Sequence, residues 1–376
     1  MSGKQTKHQE LAEKIAVLIS EEHLQPGDRL YSENELCDMF SLSRQTVRRA
    51  VQILEEEGLV VRVRGSGTYI AEPRDDVSHR SGRIAVVSTY VDSYIFPRTI
   101  QGMESELSRY GYSVQISFTG NRLDKEKLVL ENLLEGNDVA GVIVEATKSG
   151  LPNPNLDLYR RIQERKIPMI FFNAFYPELE APHVALNDER AAYKAVKYLT
   201  ERGHRQIGAI LKLDDGQGRL RYLGYLKAMR EAELPMEDAR IVWLDSYEAN
   251  QLSLCVDHFW NRLEPCTALL CYNDQVAFQL IQLLTERGVR VPEKMSVISI
   301  DDADLARLSQ VPITSLPHPK ERLGAKTAQQ LLSMIRGRTK DITYEFETRV
   351  VERSSVTDWS AEKEREMNGQ GHREVS

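Results

Sequence analysis

The sequence predicts a mixed α/β protein with two domains that differ in their pattern of helices and strands. With 376 residues, the chain is longer than one hydrophobic core usually serves. Up to Ala71, short amphipathic helical patterns are followed by two short β-rich runs, whereas from Arg83 onward apolar strand-like runs alternate with helical patterns. The segment between them, residues 72–82, is polar and carries Pro and Gly, which is typical of a linker. We therefore expect a domain over 1–72, a linker over 73–82, a larger domain over 83–357 and a disordered tail over 358–376.

The overall charge at first argues against a nucleic-acid-binding protein. The chain holds 49 Lys and Arg against 56 Asp and Glu, a formal net charge of -7. Proteins that bind nucleic-acid phosphates usually carry an excess of basic residues. No uncharged apolar run reaches the length of a membrane span, and the polar start, Met1–Glu10, does not resemble a secretory signal, so we expect a cytoplasmic protein. The four cysteines lack metal-binding spacing, so we expect reduced thiols, no metal and no cofactor.

The first 71 residues contain three helical patterns and a hairpin. After an amphipathic helix over Lys7–His23, the segment Ser32–Glu35 forms a capping box that opens a second helix. A third helix begins after Ser43 and is stopped by Gly58. Two short strands then flank the tip Gly65–Gly67, whose small residues allow a tight hairpin. These predicted strands are Leu59–Arg64 and Thr68–Ala71. Three helices followed by such a hairpin make a winged helix-turn-helix.

The third helix carries the charge that a DNA contact needs. Its apolar residues are spaced to face the core, so its basic and amide side chains lie on the outward side, where a recognition helix meets bases and phosphates. These outward residues are Arg44, Gln45, Arg48 and Arg49. Residues 43–64 hold five arginines against three glutamates, so basic charge is concentrated here although the whole chain is acidic. The alternative is that the arginines form only a solvated helix face.

This module resembles the DNA-binding domain of the gluconate-repressor (GntR) family. The resemblance covers about residues 5–72 and rests on Ser32-Glu-Asn-Glu-Leu, Ser43-Arg-Gln-Thr-Val-Arg-Arg-Ala-Val and Gly65-Ser-Gly-Thr-Tyr-Ile. It implies that the partner is double-stranded operator DNA. It further implies contacts to guanines or phosphates by Arg44 and Arg48, help with readout by Glu33 and Gln45, a phosphate contact by Thr46, and a wing in the minor groove formed by Arg64, Gly65, Ser66 and Gly67.

From residue 83 the chain repeats strand-helix units, the pattern of parallel sheets with helices on both faces. About 270 residues of such units are large for one sheet, so we expect two lobes with a cleft between them. Helical stretches such as Asp188–Arg202 and Asp274–Arg287 each end at a glycine that suits a helix C-terminus. The predicted strands are Ile84–Thr89, Ser113–Phe118, Gly141–Glu145, Met169–Asn173, Gln206–Lys212, Arg240–Trp243, Ala268–Tyr272 and Ser296–Ile300.

Polar residues after these strands are the candidates for a ligand site, because such sheets bind ligands beyond the carboxyl ends of their strands. Charged and amide groups supply donors and acceptors, and tyrosines among them can stack on a ring face, which suits a polyhydroxylated molecule. A nucleotide is less favoured, since no glycine-rich phosphate loop appears. The candidates are Tyr90, Asp92, Tyr94, Glu145, Lys148, Asn173, Arg221, Tyr247, Asn273 and Asp301. Two alternatives stay open: Glu145 as an exposed surface acid, and Asp301-Asp302 as a helix cap.

The larger domain resembles the effector domain of the LacI/GalR repressors, itself similar to periplasmic sugar-binding proteins. The resemblance spans roughly residues 82–355 and rests on Arg221-Tyr-Leu-Gly-Tyr225, Tyr272-Asn-Asp-Gln-Val-Ala277 and Ile300-Asp-Asp302. It implies that Asn173, Arg221, Asn273 and Asp301 hold sugar hydroxyls. The helix-turn-helix and hinge helix usual in that family are replaced here by the winged module and the linker.

The pairing of these two modules resembles the arabinose-responsive repressors of Gram-positive bacteria, and Gly141–Lys148 most supports that narrower likeness. It implies L-arabinose as effector, with Glu145 and Lys148 as further ligands. It also implies a homodimer that leaves its operator when sugar closes the lobes. Another sugar or a purine as effector stays open, as does activation instead of repression. A sugar-metabolising enzyme and a transporter's solute-binding protein are disfavoured, because no catalytic motif appears and a DNA module is present.

Overall fold

The computed structural model divides the chain into two compact units, Met1–Arg80 and Ser81–Ser376. Within the described residues, no helix is long and apolar enough to cross a membrane. The predicted linker lies outside them apart from Gly82. The residues that the structure describes are 7–21, 24–25, 27–56, 59–63, 66–71, 82–90, 94–136, 139–337 and 342–359.

The described residues of the N-terminal unit form three helices and an antiparallel hairpin. Its elements are α1 (Lys7–Glu21), α2 (Glu33–Phe40), α3 (Arg44–Glu56), β1 (Val60–Val63) and β2 (Gly67–Ile70). The amphipathic helices bury Ile15, Leu36 and Leu54 in one apolar core, which also receives Val60 and Ile70 from the hairpin. Val60 pairs with Ile70 across the two strands. This arrangement is the predicted winged helix-turn-helix.

The larger unit contains two parallel sheets, each with helices packed on it. The first sheet runs in the order β13-β7-β6-β5-β3-β4, and all of its strand pairs are parallel. We call this sheet and its helices the first lobe. Its elements are β3 (Arg83–Ser88), α4 (Phe96–Arg109), β4 (Ser113–Phe118), α5 (Leu123–Glu135), β5 (Val139–Val144), α6 (Leu156–Glu164), β6 (Met169–Phe172), β7 (His183–Leu186), α13 (Lys320–Ile335) and β13 (Tyr344–Phe346).

The second lobe is built around a sheet in the order β12-β11-β10-β8-β9, again with parallel pairs throughout. Its strands are β8 (Ile207–Lys212), β9 (Ile241–Leu244), β10 (Ala268–Cys271), β11 (Ser296–Asp301) and β12 (Thr314–Pro317). Its helices are α7 (Asp188–Glu201), α8 (Gly216–Glu231), α9 (Ser246–Asn250), α10 (Val256–Leu263), α11 (Asp274–Glu286) and α12 (Asp304–Leu308).

In its described part, the chain crosses between the lobes three times. It crosses from β7 to α7 and from β12 to α13, and after β13 it returns to the second lobe, where Val351 pairs with Ser315. These crossings lie at the β7/β13 side of the first sheet and the β12 edge of the second, so this side is the hinge. The opposite edges, β4 and β9, lie at the mouth of the cleft.

The sequence patterns missed three strands of the larger unit, namely β7, β12 and β13. Each has only three or four residues, and polar side chains such as His183, Thr314 and Glu345 interrupt what would be an apolar run. These are the strands next to the crossings, where the chain leaves one sheet for the other. Their placement depends on the whole fold and not on local hydrophobicity.

The tail begins later than predicted, because Trp359 is buried. Its indole ring lies 5.6 Å from the His204 ring between centroids, and its backbone N–H donates to the Arg202 carbonyl at 2.7 Å. Gly203 allows this approach: its φ is +85°, and a Cβ there would lie 2.3 Å from the Trp359 carbonyl oxygen. The expectation of disorder from residue 358 is therefore wrong for Asp358 and Trp359, while residues 360–376 lie outside the described part.

Candidate functional sites

Side-chain caps order the N-terminal ends of α2 and α3. Ser32 Oγ accepts a hydrogen bond from the Glu35 N–H at 3.3 Å, and the Glu35 carboxylate accepts one from the Ser32 N–H at 2.7 Å, as the predicted capping box requires. Ser43 Oγ in turn accepts from the Thr46 N–H at 3.3 Å and shares a hydrogen bond with the Thr46 hydroxyl at 2.9 Å. The first cap fixes the start of α2, and the second fixes the start of α3 after the turn.

The predicted contact face of α3 is open to solvent. Arg44, Gln45, Arg48 and Arg49 are exposed, and Thr46 is half-buried. Arg44 Nε donates to Asn34 Oδ1 at 2.9 Å, which holds the guanidinium beside α2. Three cations and an amide thus share one accessible side of this helix, the arrangement that phosphate and base contacts need.

Arg62 of the wing serves a structural role. Its guanidinium lies 3.6 Å from the Glu33 carboxylate and 3.5 Å from that of Glu55, and it donates to the Arg48 carbonyl at 3.2 Å. These contacts tie β1 to α2 and α3. The Glu33 carboxylate pairs with Arg62 and so helps to hold the wing against α2. The sequence did not predict this role for Glu33.

The tip of the wing carries a further arginine. Gly67 has a φ of +141°, and a Cβ at this position would lie 3.0 Å from Nε of Arg29, so the arginine packs over the glycine. Ser66 hydrogen-bonds the Tyr69 hydroxyl at 2.6 Å. Arg29 was not singled out from the sequence, and only the fold brings it to the wing. Arg64 and Gly65 lie outside the described residues.

Seven of the ten predicted ligand residues line one cavity of about 150 Å³ between the lobes. The first lobe contributes Tyr90, Tyr94, Glu145 and Asn173, and the second contributes Arg221, Asn273 and Asp301. Asp92 lies outside the described residues.

Lys148 and Tyr247 do not line this cavity, so the structure does not bring these two predicted ligand residues to it. Lys148 Nζ instead lies 3.1 Å from Asp214 Oδ2 of the second lobe. Tyr247 is 63% exposed on α9, whose Ala249 and Asn250 face the cavity. Position after a strand therefore brought both residues near the cleft without fixing the direction of their side chains.

Arg221 is the charged centre of the cleft and is only 3% exposed. Its Nε donates to Asp188 Oδ1 at 2.8 Å, another guanidinium nitrogen donates to the Tyr272 carbonyl, and a third lies 3.6 Å from Asp301 Oδ1. Burial by itself lowers the pKa of Arg221, but the carboxylates of Asp188 and Asp301 raise it above its ordinary value. The guanidinium is therefore a fixed positive charge.

Asp301 presents an oxygen that has no hydrogen-bond partner among the described residues. Its Oδ2 accepts from the Tyr94 hydroxyl at 2.6 Å, whereas its buried Oδ1 has only the ion pair with Arg221 at 3.6 Å. The alternative that Asp302 caps the following helix is wrong: its carboxylate pairs with Arg353 at 2.6 Å, and the Ala303 N–H donates to Asp274. Oδ1 of Asp301 is available to accept a ligand hydroxyl.

Glu145, Asn173 and His318 form a chain of hydrogen bonds at the hinge side of the cleft. Glu145 accepts from the Thr89 N–H at 2.8 Å and from Asn173 Nδ2 at 2.7 Å. Asn173 Oδ1 lies 3.0 Å from His318 Nε2. His318 belongs to the segment between β12 and α13 that crosses from one lobe to the other. Glu145 is 3% exposed, so it is not a surface acid, and burial raises its pKa.

The sequence patterns did not identify the polar residues that follow β8 as ligand candidates. Lys212, Asp215 and Gln217 line the cavity, and Gln217 Oε1 is a second buried acceptor for which the described residues offer no partner. Lys212 Nζ lies 2.7 Å from Asp215 Oδ2, which also accepts from the Tyr272 hydroxyl at 2.8 Å. A signal was present, because this segment follows a strand as the other candidates do.

The backbone is strained around the cleft. Of the nine non-glycine residues with positive φ in the described part, six lie at the strand ends that face it: Tyr94, Asn121, Lys148, Asn173, Asp301 and Asp302. Such conformations cost free energy and concentrate at binding sites. The described ranges also contain no group of three or more His, Cys, Asp or Glu side chains arranged to hold a metal ion.

Comparison with known proteins finds relatives of both units. Residues 7–70 match the bacterial regulatory proteins of the gntR family, and residues 196–356 match a periplasmic binding protein-like domain. An arabinose metabolism transcriptional repressor of Halalkalibacterium halodurans is 36% identical over 96% of this chain and 99% of its own. Another repressor of the same name, from Geobacillus stearothermophilus, is 33% identical over 89% of this chain and 93% of its own.

Solved structures share the architecture at lower identity. The transcription regulator CcpA of Lactococcus lactis superposes with a TM-score of 0.66 at 22% identity, covering 73% of this chain and 99% of that one. A complex of the transcriptional regulator CelR with cellobiose gives a TM-score of 0.64 at 21% identity. The match covers 84% of this chain and 91% of that one. At these identities the likeness concerns the fold, and it confirms the predicted two-lobed arrangement of parallel sheets.

Proposed function

Because this chain belongs to the family of arabinose metabolism transcriptional repressors, we propose that it represses arabinose-utilisation genes and leaves its operator when L-arabinose occupies the cleft. The winged unit binds double-stranded DNA, and the two-lobed unit binds the sugar effector. The protein acts as a regulator in the cytoplasm and catalyses no reaction.

The observation that carries the effector assignment is the pair of buried oxygens facing the cavity beside a fixed cation. Asp301 Oδ1 and Gln217 Oε1 are acceptors without partners in the described part of the chain, and Arg221 supplies charged donors nearby. A buried acceptor left unsatisfied costs about 1–3 kcal/mol, so a ligand rich in hydroxyl groups gains by satisfying it. A small cavity of about 150 Å³ lined by such groups favours a monosaccharide over a larger sugar.

The operator contact rests on α3 and the wing. Arg44, Arg48 and Arg49 project from one face of α3, with Gln45 and Thr46 between them, and Ser66 and Gly67 lie at the wing tip. We assign base and phosphate contacts to these residues, and also to Arg64 and Gly65, which lie outside the described part of the chain. A homodimer then places two such modules on the half-sites of a pseudo-palindromic operator.

The switch follows from closure of the two lobes on the sugar. Tyr90, Tyr94, Glu145 and Asn173 approach the ligand from one side, and Arg221, Asn273 and Asp301 approach it from the other. Since these groups belong to different lobes, a ligand that contacts both favours the closed arrangement. Closure alters the spacing of the DNA modules in the dimer, and sugar and operator then weaken each other's binding by the same factor.

Calorimetric titration of the full chain with L-arabinose, D-xylose, D-galactose, cellobiose and a purine base tests the effector. We expect L-arabinose to bind at one site per chain and to lower operator affinity in a fluorescence anisotropy assay. Preferential binding of another compound would overturn the arabinose assignment, and unchanged operator affinity with bound sugar would overturn the switch.

Asp301→Asn tests whether the unpaired Asp301 oxygen binds the sugar, with Asp304→Asn as the matched control. The first substitution replaces the charged acceptor beside Arg221, whereas Asp304 is exposed and pairs with Arg307 on α12. Asp301→Asn is expected to lower sugar affinity at least tenfold and to leave sugar-free operator binding intact. Equal sugar affinity of the two variants would remove Asp301 from the site.

A further inference from the structure

Lys148 of the first lobe and Asp214 of the second form an ion pair that the sugar site does not use. Lys148 Nζ lies 3.1 Å from Asp214 Oδ2, with the lysine side chain 31% and the aspartate side chain 1% exposed. Neither residue lines the cavity. Asp214 Oδ2 also accepts from the Ser246 N–H at 3.2 Å, so its other partner belongs to its own lobe.

Hydrogen bonds beside this pair also join the lobes. The Gly216 N–H, at the start of α8, donates to Ser149 Oγ at 2.9 Å. The Gly150 N–H donates to the Asp214 carbonyl oxygen at 3.2 Å. The packing here is close, since a Cβ on Gly150 would lie 2.4 Å from the Leu213 carbonyl oxygen. These contacts form only when the two lobes meet.

The sheet order places this cluster away from the hinge. Asn121 follows the edge strand β4, and its Nδ2 donates to Oγ of Ser246, which follows the edge strand β9, at 2.8 Å. Asn121 Oδ1 accepts from the Lys148 N–H at 2.8 Å, so the ion pair is joined to this edge contact. The hinge crossings leave from the opposite sides of both sheets.

We propose that Lys148, Ser149, Gly150, Asp214 and Gly216 form an inter-lobe latch that holds the effector unit closed without touching the sugar. The proposal builds on the proposed function, in which sugar binding accompanies closure. The latch sets the fraction of closed lobes in the free protein. It thereby sets the apparent sugar affinity and the sugar concentration needed for release from the operator.

The ion pair is suited to this role because it exists in only one of the two arrangements. In the closed form Asp214 is buried and compensated by Lys148, whereas in the open form both charges are hydrated. Removing the lysine leaves a buried carboxylate without its cation and therefore disfavours closure selectively. Weakening of closure by a given factor lowers the apparent sugar affinity by up to the same factor.

Hydrogen exchange of the full chain, without sugar, tests the latch directly. The backbone N–H groups of Gly150 and Gly216 report closure, since both donate across the lobes. We expect Lys148→Met to speed exchange in peptides covering residues 148–151 and 213–217 at least fivefold. Lys127→Met is the matched control, because Lys127 is exposed and pairs with Glu131 on its own helix.

A second, milder variant tests the latch in case Lys148→Met perturbs the fold. Ser149→Ala removes only the acceptor of the Gly216 N–H and is expected to speed exchange in the 213–217 peptide with little change in melting temperature. Wild-type exchange rates in both Lys148→Met and Ser149→Ala would overturn the latch. Faster exchange across the entire effector unit would also overturn it, since that result indicates general destabilisation.

Sugar titrations separate this proposal from the proposed function. If both hold, L-arabinose restores slow exchange in Lys148→Met, and its affinity for that variant is about five- to tenfold below wild type. If the variant exchanges faster but L-arabinose neither binds nor restores protection, the latch stands and the effector assignment fails. If L-arabinose binds wild type and Lys148→Met equally well, with equal exchange rates, the effector stands and the latch fails.

Discussion

Tyr94 in one lobe donates its hydroxyl hydrogen to Asp301 Oδ2 in the other over 2.6 Å, and the same hydroxyl accepts from the Asp274 N–H at 3.2 Å. Burial raises the pKa of Tyr94 well above its ordinary value, and the Asp301 and Asp274 carboxylates raise it further, so the phenol remains a proton donor. Its backbone is held at a φ of +63°, an unfavourable conformation for a bulky residue. Tyr94 thus connects closure of the lobes to the aspartate whose other oxygen faces the cavity.

Tyr94→Phe is expected to weaken sugar binding about tenfold, because it removes an inter-lobe hydrogen bond to a charged group worth roughly 1.5 kcal/mol or more. Sugar-free operator binding is expected to stay unchanged. Calorimetry measures the sugar affinity, and Tyr247→Phe is the control, since Tyr247 is 63% exposed and away from the cavity. Wild-type affinity in Tyr94→Phe would show that this bond does not support the sugar complex.

Arg48→Ala is expected to weaken operator binding by about 1–3 kcal/mol if Arg48 reads a base. Fluorescence anisotropy at several salt concentrations distinguishes its role, because loss of a phosphate contact also lowers the salt dependence of binding. Arg109→Ala is the control, since Arg109 is exposed on α4 of the other unit. Unchanged affinity with an intact fold would remove Arg48 from the DNA interface.

Local patterns predicted the N-terminal unit well, because its signals act over a few residues. The Ser32–Glu35 capping box is present as expected, and the α3 apolar spacing buries Val47 and Leu54 while leaving Arg48 exposed. Such caps and periodicities depend on neighbours three or four residues away.

Partners that are distant in sequence set the parts of the cleft that the sequence did not predict. Lys148 follows a strand as expected, but its direction depends on Asp214, 66 residues away in the other lobe. No local pattern distinguishes His318, and only the lobe crossing brings it to Asn173. Gln217 follows a strand, as the other candidates do, so its position after β8 could have identified it from the sequence. Position after a strand thus locates a cleft residue more reliably than it assigns its contacts.

His318 by itself contributes a loss of folding free energy in mild acid. Burial lowers its pKa from 6.5 to about 4, and the nearby Lys320 and Arg221 cations add to the shift although Asp301 opposes it. Between pH 6.5 and pH 4 the His318 imidazole is therefore protonated in the unfolded chain but neutral in the folded chain. From pH 7 to pH 5 this linkage costs about 2 kcal/mol of folding free energy. Asp274 acts oppositely, since burial raises its pKa to about 7 and its contribution is lost as pH rises.

His318→Gln isolates the histidine contribution, because Gln keeps a donor for Asn173 but does not titrate, and Asp274 remains in both proteins. Between pH 7 and pH 5, the change in unfolding free energy is expected to be about 2 kcal/mol more favourable in the variant than in wild type. Urea unfolding followed by tryptophan fluorescence measures this, since Trp243, Trp260 and Trp359 all lie in the larger unit. Parallel pH profiles for the two proteins would contradict the assignment.

Glu126 on α5 is fully buried and accepts four hydrogen bonds, which predicts a large stability effect. The hydroxyls of Tyr159 and Tyr176 donate to its Oε1 at 2.7 Å each, and the side-chain amides of Asn153 and Asn155 donate to its Oε2 at 2.8 Å each. Glu126→Ala removes the buried acceptor that these four donors share and is expected to destabilise the larger unit by about 3 kcal/mol. Glu131→Ala, on the exposed side of the same helix, is expected to cost less than about 0.5 kcal/mol.

The milder Glu126→Gln connects this cluster to ligand binding. The Tyr176 hydroxyl also lies 2.7 Å from the Thr147 carbonyl oxygen, directly before Lys148 and Ser149. Disturbing the cluster therefore loosens the loop that meets the second lobe. We expect Glu126→Gln to lower sugar affinity several-fold while the Tyr90 and Asp301 sides of the cavity keep their contacts. Urea unfolding and calorimetry on the same sample check both effects, and a stability loss without any change in sugar affinity would separate the buried cluster from closure.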